Sequence, residues 1–299
     1  MTKPQITLLD GGMGQELVHR SGDAATPLWS TQVMIDHPGL VAQVHTDYFD
    51  AGATVATTNT YAILRDRLDR VGLEDRFEDL QLAALQEAQA ARNEFGSGRI
   101  AGSIGPLRAS YRPDIHPPVQ EAMPLYAEIA RLQAPHVDLL LIETVSSLTH
   151  ALSALNAIKD MGKPVWLSVT LDDEDGSRLR SGELVEDILP IAQDGAAALL
   201  ANCSAPEAMP AALEIFARGT LPFGAYANAF TMITNDFLKD APTVDALSAR
   251  NDLGPDAYAT QALSWIDMGA TILGGCCETG PAHIAEIARR LRAQGHTII

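Results

Sequence analysis

The sequence predicts a single (β/α)8 barrel, residues 1–299, on three observations. Eight short runs are apolar on both faces, amphipathic stretches alternate with them, and no linker or composition break interrupts the 299 residues. The runs are residues 6–10 (ITLLD), 54–60 (TVATTNT), 100–105 (IAGSIG), 139–144 (LLLIET), 165–170 (VWLSVT), 198–204 (ALLANCS), 223–229 (FGAYANA) and 271–277 (TILGGCC). Unbroken apolarity of this kind belongs to parallel strands covered on both faces. A doubly wound open sheet is the competing arrangement, but eight regular repeats at this length favour closure.

Helix-like stretches cover 37–51, 74–95, 119–134, 146–161, 183–194, 206–218, 255–268 and 281–294, each with apolar residues at three- and four-residue spacing. Four of them run into a glycine, Gly52, Gly162, Gly195 or Gly269, suited to the left-handed cap that ends a helix. Gly280-Pro281 marks the start of the last one. Residues 106–118 and 229–254 are longer polar connections after the third and seventh strands, which puts both at the active-site end of a barrel, as lid or interface.

Composition narrows the partners. Hydrophobic residues make up 46% of the chain, enough for a large core. Lys and Arg total 21 against 38 Asp and Glu, a formal charge of -17, so neither nucleic acid nor an anionic membrane is an expected partner. The N-terminus has no signal-peptide pattern, and no run approaches the ~18 apolar residues of a membrane helix. The expectation is a cytoplasmic protein that acts on small molecules. Three cysteines in such a chain do not suggest a disulfide framework.

In a barrel, catalytic groups sit at the C-terminal ends of strands. Here those ends read Asp10-Gly11-Gly12, Asn59-Thr60, Gly105, Glu143-Thr144, Thr170, Asn202-Cys203, Asn228 and Cys276-Cys277, a set that contains every cysteine of the chain. A lone Cys203 would read as a small buried hydrophobe. The adjacent pair shifts the balance, because Gly274-Gly275 lets the chain turn and aim both sulfurs inward. A vicinal disulfide would be strained, and C-x-x-C redox spacing is absent. A closed structural zinc site would use four ligands, whereas three thiolates leave a coordination position open, as catalytic zinc requires. Asp10 and Glu143 are carboxylates at strand ends, costly to bury without a cationic partner. Helix capping is the alternative role for Asp10. Gly12-Met13-Gly14 fails as a dinucleotide fingerprint because position 17 is leucine, and no P-loop, H-E-x-x-H or G-x-S-x-G element occurs.

These residues resemble those of the homocysteine S-methyltransferases, zinc-dependent (β/α)8 enzymes that make methionine. The resemblance runs nearly end to end. It includes Asp10-Gly11-Gly12-Met13-Gly14 with Glu16-Leu17, Leu28-Trp29-Ser30, Asp50-Ala51-Gly52-Ala53 leading to Thr58-Asn59-Thr60-Tyr61, and Gly102-Ser103-Ile104-Gly105-Pro106. Glu143-Thr144, Asn202-Cys203 with Pro206-Glu207, and Gly274-Gly275-Cys276-Cys277 complete it, the last motif with Asn-Cys upstream being highly specific. It implies that Cys203, Cys276 and Cys277 bind Zn2+ and that Asp10 and Glu143 hold the homocysteine ammonium. Gly11 and Gly12 would let the substrate carboxylate approach backbone N–H groups, with Asn59 and Thr60 as pocket walls and Asn228 near the donor. The chain departs from the family pattern at Gln15, at Ala227-Asn228-Ala229-Phe230 and at Glu278-Thr279.

The implied reaction is zinc-dependent methyl transfer from an onium donor (S-methylmethionine, S-adenosylmethionine or betaine) to homocysteine. Leu28-Trp29-Ser30 most resembles the members that use the two sulfonium donors. The chain has no room for folate and cobalamin domains, although a separate corrinoid partner protein remains an alternative donor. Three further readings compete: another thiol or selenol as acceptor, a zinc-binding barrel without methyl transfer, and a zinc hydrolase. The last fits three thiolates poorly, since hydrolytic zinc prefers histidine and carboxylate ligands.

Overall fold

The structure is a computed structural model and describes residues 3–24, 26–231, 233, 238 and 248–299. Eight parallel strands form its centre: β1 (Thr7–Leu8), β2 (Val55–Thr57), β3 (Arg99–Ile104), β4 (Leu139–Val145), β5 (Val165–Val169), β6 (Ala198–Asn202), β7 (Phe223–Tyr226) and β8 (Ile272–Leu273). Each pairs with its sequence neighbour from β2 to β8, and β8 pairs back onto β1. The Leu9↔Val55 bridge, with Thr54 N donating to Leu8 O at 2.7 Å, joins β1 to β2 and closes the ring. The predicted (β/α)8 barrel is the observed fold.

Alternation along the strands sorts the core into two layers. Leu9, Val55, Ala101, Leu139, Leu141, Trp166, Ala198, Leu200, Tyr226 and Ile272 pack together as the barrel interior, each of the eight repeats contributing. Residues of opposite parity, such as Leu8, Leu140, Leu167, Leu199 and Ala225, join the larger cluster beneath the helices. The interior is therefore packed, and a ligand has room only at its ends.

The outer layer is made by α1 (Met13–Ser21), α2 (Ser30–Asp36), α3 (Leu40–Ala51), α4 (Arg65–Asp69), α5 (Phe77–Phe95), α6 (Val119–Gln133), α7 (Leu148–Ile158), α8 (Ile188–Gln193), α9 (Met209–Phe216), α10 (Pro255–Asp267) and α11 (Pro281–Ala293). All eight sequence-predicted helical stretches contain a helix. Residues 183–194 and 206–218 are shorter than expected, each opening with a 3-10 turn before α8 or α9. Gly52, Gly162, Gly195 and Gly269 all take positive φ, as expected of their end positions.

Three helices, α1, α2 and α4, were not expected. They are short, and they lie at the C-terminal end of the barrel, where loop residues fold over the strand ends. The terminal strands are shorter than their apolar runs. β1 stops before Asp10, β2 before Asn59 and β8 before Gly274, because the chain leaves the ladder there to build the mouth. At the mouth Tyr258 of α10 donates to Ala227 O (3.0 Å) and also lies 2.8 Å from Gly274 O, strapping the ends of β7 and β8.

The two long connections meet. Arg112, after β3, donates to the carbonyl of Leu238, after β7. Within 229–254, residues 232, 234–237 and 239–247 lie outside the described set, and with them most of the lid or interface expected there. No helix among the described residues is long and apolar enough to cross a membrane.

Closure tolerates no extra volume between β7 and β8. A Cβ at Gly224 would collide with the Ile272 carbonyl of the neighbouring strand. Gly224→Ala is expected to destabilise the fold by about 1–3 kcal/mol, read as a lower midpoint in urea unfolding; an unchanged midpoint would show that the pair can spread freely.

Candidate active site

The mouth of the barrel holds a cavity of ≈ 300 Å³. Its lining includes Asp10, Gly11, Gly12, Asn59, Glu143, Cys203, Tyr226, Cys276 and Cys277, with Trp29, Tyr61 and Tyr111 supplying aromatic wall. These residues come from seven strand ends and loops and meet only because the ring closes.

The sulfurs converge by local backbone devices. Asn202, the last residue of β6, accepts from Thr144 N (3.0 Å) and Ser168 Oγ (2.9 Å) and donates to Thr144 Oγ1 (3.0 Å). That side chain pins β6 to β4 and β5, and the chain then bends at Cys203, whose φ is 50°. On the opposite side Cys276 N donates to Ala227 O (2.9 Å) and Ala229 N to Cys277 O (2.9 Å), anchoring the pair to the end of β7. Thr279 N donates to Cys276 O (3.2 Å), closing a turn with Glu278 at φ 61°. Gly12 permits the approach, since a Cβ there would lie 2.6 Å from Cys276 O and 3.2 Å from Cys277 Cα.

The three Sγ atoms lie within 4.8 Å of one another, a grouping able to hold a metal ion. Cys203 and Cys276 are joined as a disulfide, and Cys277 Sγ is free at 3.7 Å from Cys203 Sγ. The sequence led us to expect no disulfide, so this is a correction. Its cause is proximity: sulfurs gathered tightly enough to share one cation are also within reach of a two-electron bond. A disulfide sulfur is not a thiolate, so ligation by all three requires the reduced form. Burial, with Glu278 and Glu143 nearby, pushes the Cys277 thiol up to about 12. Ionising it near neutral pH therefore needs a neighbouring cation.

The carboxylates pose the complementary problem. Asp10, 2% exposed, accepts from Thr57 N (2.6 Å) and Thr57 Oγ1 (2.8 Å). Burial raises its pKa to about 8, the proximity of Glu143 adds to this, and only hydrogen bonds oppose it. Glu143 accepts a short hydrogen bond from Ser103 Oγ and one from Tyr226 OH at 3.0 Å, and burial likewise raises its pKa. The β4–β5 register shifts between Ile142 and Val145, and Thr144 sits at φ 58°. This bulge turns the Glu143 end of β4 toward the mouth. Neither carboxylate is paired with a basic side chain among the described residues, so a cationic ligand group would be strongly stabilised between them.

Strain is concentrated here. Among the described residues the non-glycine positions with positive φ are Trp29, Arg108, Tyr111, Thr144, Cys203 and Glu278. Five line the cavity and the sixth follows Cys277, the distribution expected where backbone strain serves a site.

The family model described as homocysteine S-methyltransferase matches residues 7–291. The chain belongs to the homocysteine S-methyltransferase family. Among its relatives is a homocysteine S-methyltransferase of Escherichia coli (strain K12), 30% identical over 97% of this chain and 96% of that one. A Bacillus subtilis (strain 168) homocysteine S-methyltransferase is 28% identical over 96% and 95%. The crystal structure of the E. coli homocysteine methyltransferase in its metallated form covers 96% of this chain and 97% of its own, with a TM-score of 0.81 at 28% identity. The oxidized form of that enzyme gives a TM-score of 0.77.

Against this family background, two sequence candidates stand apart from the cavity lining. Thr60 Oγ1 lies 2.7 Å from both Ser103 O and Thr58 Oγ1, tying β2 to β3. Asn228 Oδ1 accepts from Phe230 N (3.2 Å) and shapes the turn after β7. The Gly12 N–H donates to Thr279 O (2.8 Å), so close packing, rather than a free N–H for substrate, accounts for that glycine. Glu278 interacts with Gln15 and His19 of α1, and its carboxylate is also close enough to raise the Cys277 pKa. Sequence reasoning missed Tyr226, Ser103 and Thr57, which hold the carboxylates. Tyr226 was recoverable from strand alternation, two positions before Asn228.

The buried carboxylate predicts a pH signature. The Asp10 pKa rises from 3.8 to about 8 on folding, so the fold prefers the protonated form. Its contribution is fully present below about pH 4 and is lost as pH rises toward 8. In ligand-free protein, Asp10→Asn should therefore gain thermal stability relative to wild type across that window, with a constant difference above it. Parallel Tm curves from pH 4 to 9 would contradict the burial argument.

Proposed function

We propose that this chain catalyses zinc-dependent methyl transfer from an onium donor to the thiol of homocysteine, giving methionine. The observation that carries the reading is the meeting, in one cavity, of three cysteine sulfurs with two buried carboxylates that no basic side chain among the described residues neutralises. In the reduced protein Cys203, Cys276 and Cys277 would hold zinc, which supplies an ionised, electron-rich acceptor sulfur at neutral pH.

The chain's own residues do the positioning. Asp10 and Glu143 bind the homocysteine ammonium, and that contact orients the thiol toward the sulfur cluster. Thr57 holds Asp10 while Ser103 and Tyr226 hold Glu143, so both carboxylates are preorganised for the cation. Trp29 offers an aromatic ring suited to an onium group, while guanidinium groups already lie over Tyr61 and Tyr111. The acceptor sulfur attacks the methyl carbon, the carbon–onium bond breaks, and its electron pair leaves on a neutral donor product. The thiol proton passes to solvent as the acceptor binds, so no general base is required in the transfer step. Alignment of acceptor and donor in a water-poor cavity provides the rest of the acceleration.

A second acceptor is worth including, because a selenocysteine Se-methyltransferase of Brassica oleracea var. italica aligns with 95% of this chain at 23% identity. The deciding assay gives reduced, zinc-loaded protein homocysteine or selenocysteine with S-methylmethionine, S-adenosylmethionine and betaine, each methyl carrying a distinct isotope. Labelled methionine read by mass spectrometry names the donor and the acceptor together. A product absent with every pairing, at full zinc occupancy, rejects the reading.

Two variants test the roles. Cys276→Ser should lose bound zinc and methionine formation together; full zinc content by elemental mass spectrometry would remove it from the ligand set. Glu143→Gln should keep zinc and raise the KM for homocysteine about tenfold or more, the scale of one charge-assisted hydrogen bond. An unchanged KM would show that Glu143 does not touch the ammonium.

A further inference from the structure

The connections after β2 and β3, across the ring from the strand ends that carry the sulfurs, bring positive charge to the cavity that the reading above does not use. In a chain of net charge -17, three arginines line this one cavity: Arg67 on α4, Arg70 just after it, and Arg108 in the loop after β3. Arg70 and Arg108 are exposed, whereas Arg67 is half-buried. The Arg67 guanidinium stacks over the Tyr61 ring, 5.5 Å from its centroid, and Tyr61 in turn meets the Trp29 ring edge-on at 6.3 Å. Its Nη2 donates to Pro106 O (3.0 Å), while its buried Nε has no hydrogen-bond partner. Arg67 forms no ion pair among the described residues. The nearby Asp66 is engaged instead by the backbone N–H of Arg108 (2.6 Å).

A half-buried guanidinium set over an aromatic ring, with donors unspent, is prepared for an anion, and its fork matches a carboxylate in particular. The acceptor's own carboxylate is an unsuitable occupant. In homocysteine it shares one carbon with the ammonium, which the reading above places on the deeply buried Asp10 and Glu143, whereas Arg70 and Arg108 stand exposed at the rim from which a second substrate enters. The donor enters from the other side, because the acceptor sulfur, the methyl carbon and the leaving atom must lie in line. The end of the donor remote from its methyl group therefore reaches toward α4. A purely cationic donor would be repelled there, whereas one carrying a carboxylate would be drawn in.

We propose that Arg67 is a specificity-determining residue that binds the carboxylate of a zwitterionic onium donor, with Arg108 and Arg70 adding attraction at the rim. This assignment rests on the methyl-transfer reading, so its test includes a measurement that does not depend on turnover.

Reduced, zinc-loaded protein is titrated calorimetrically with S-methylmethionine and with its α-carboxamide in the absence of acceptor; homocysteine is titrated separately, and methionine formation is then measured with donor and acceptor together. Wild type should bind the carboxylate form about tenfold more tightly than the carboxamide, as expected for one charge-assisted contact. Arg67→Met should erase that preference, and Arg67→Lys should retain part of it, since lysine keeps the charge without the fork. Equal binding of the two forms to wild type, no binding of either, or full discrimination in Arg67→Met overturns the proposal. So does weakened homocysteine binding with donor binding intact, which would move the arginine to the acceptor. Discrimination that survives while no methionine forms rejects methyl transfer and leaves the carboxylate subsite standing. Should Arg67→Met fail to fold, the wild-type comparison and Arg67→Lys still decide.

Discussion

The closure of the ring between β1 and β8 is the constraint from which the site follows. Thr7 pairs with Ile272 and Leu8 with Leu273, and the contact continues past the strands through Gly275 N, which donates to Asp10 O at 3.0 Å. That register sets the first-strand carboxylate beside the two cysteines of the last repeat, although more than 260 residues separate them in sequence. Opposite, β4 and β6 are locked by Asn202, so Glu143 and Cys203 face inward together. An open sheet of the same eight strands in sequence order would leave Asp10 and the cysteine pair of the last repeat on opposite edges. The chemistry proposed for this chain is a property of closure.

Electrostatically the mouth is divided. On one side, burial disfavours charge on Asp10, Glu143 and Cys277 alike. These groups oppose one another's ionisation, and each would be relieved by a cation: the carboxylates by an ammonium, the thiol by a metal. On the other side, arginines lie among aromatic rings. Burying unneutralised charge is costly, so the site trades stability of the free protein for affinity toward ligands of matching charge. Strained backbone at Thr144 and Cys203 belongs to the same balance, since both bends aim functional groups.

Much of this was legible in the sequence. Strand count, parallel closure and the helical repeats followed from apolar runs and spacing, because hydrophobic periodicity is set by the same burial that makes the fold. Cys203, Cys276, Cys277, Asp10 and Glu143 stood out because polar groups at strand ends are exceptions to that periodicity. What was hidden depended on side-chain geometry. Thr60 and Asn228 sit in the right segments yet turn to backbone partners, and spacing alone does not record which way a loop residue faces. α1, α2 and α4 were missed because short helices over a barrel mouth are fixed by tertiary contact more than by local pattern. The disulfide was unexpected because cysteine counts report on compartment, whereas this bond arises from convergence. Arg67 escaped notice because it lies on one of those missed helices.

The Tyr258 strap across the ends of β7 and β8 bears on how the protein matures. Cys203 is made with the sixth repeat, but its two partners only with the eighth, 73 residues later, and the strand ends that position them are those that Tyr258 joins at Ala227 and Gly274. Until the eighth repeat is made the chain therefore holds one isolated thiol, with no chelating grip on an ion. Metal loading by this trio would be the last act of assembly, and a protein that carries the ion would already have passed a check on the completeness of its barrel.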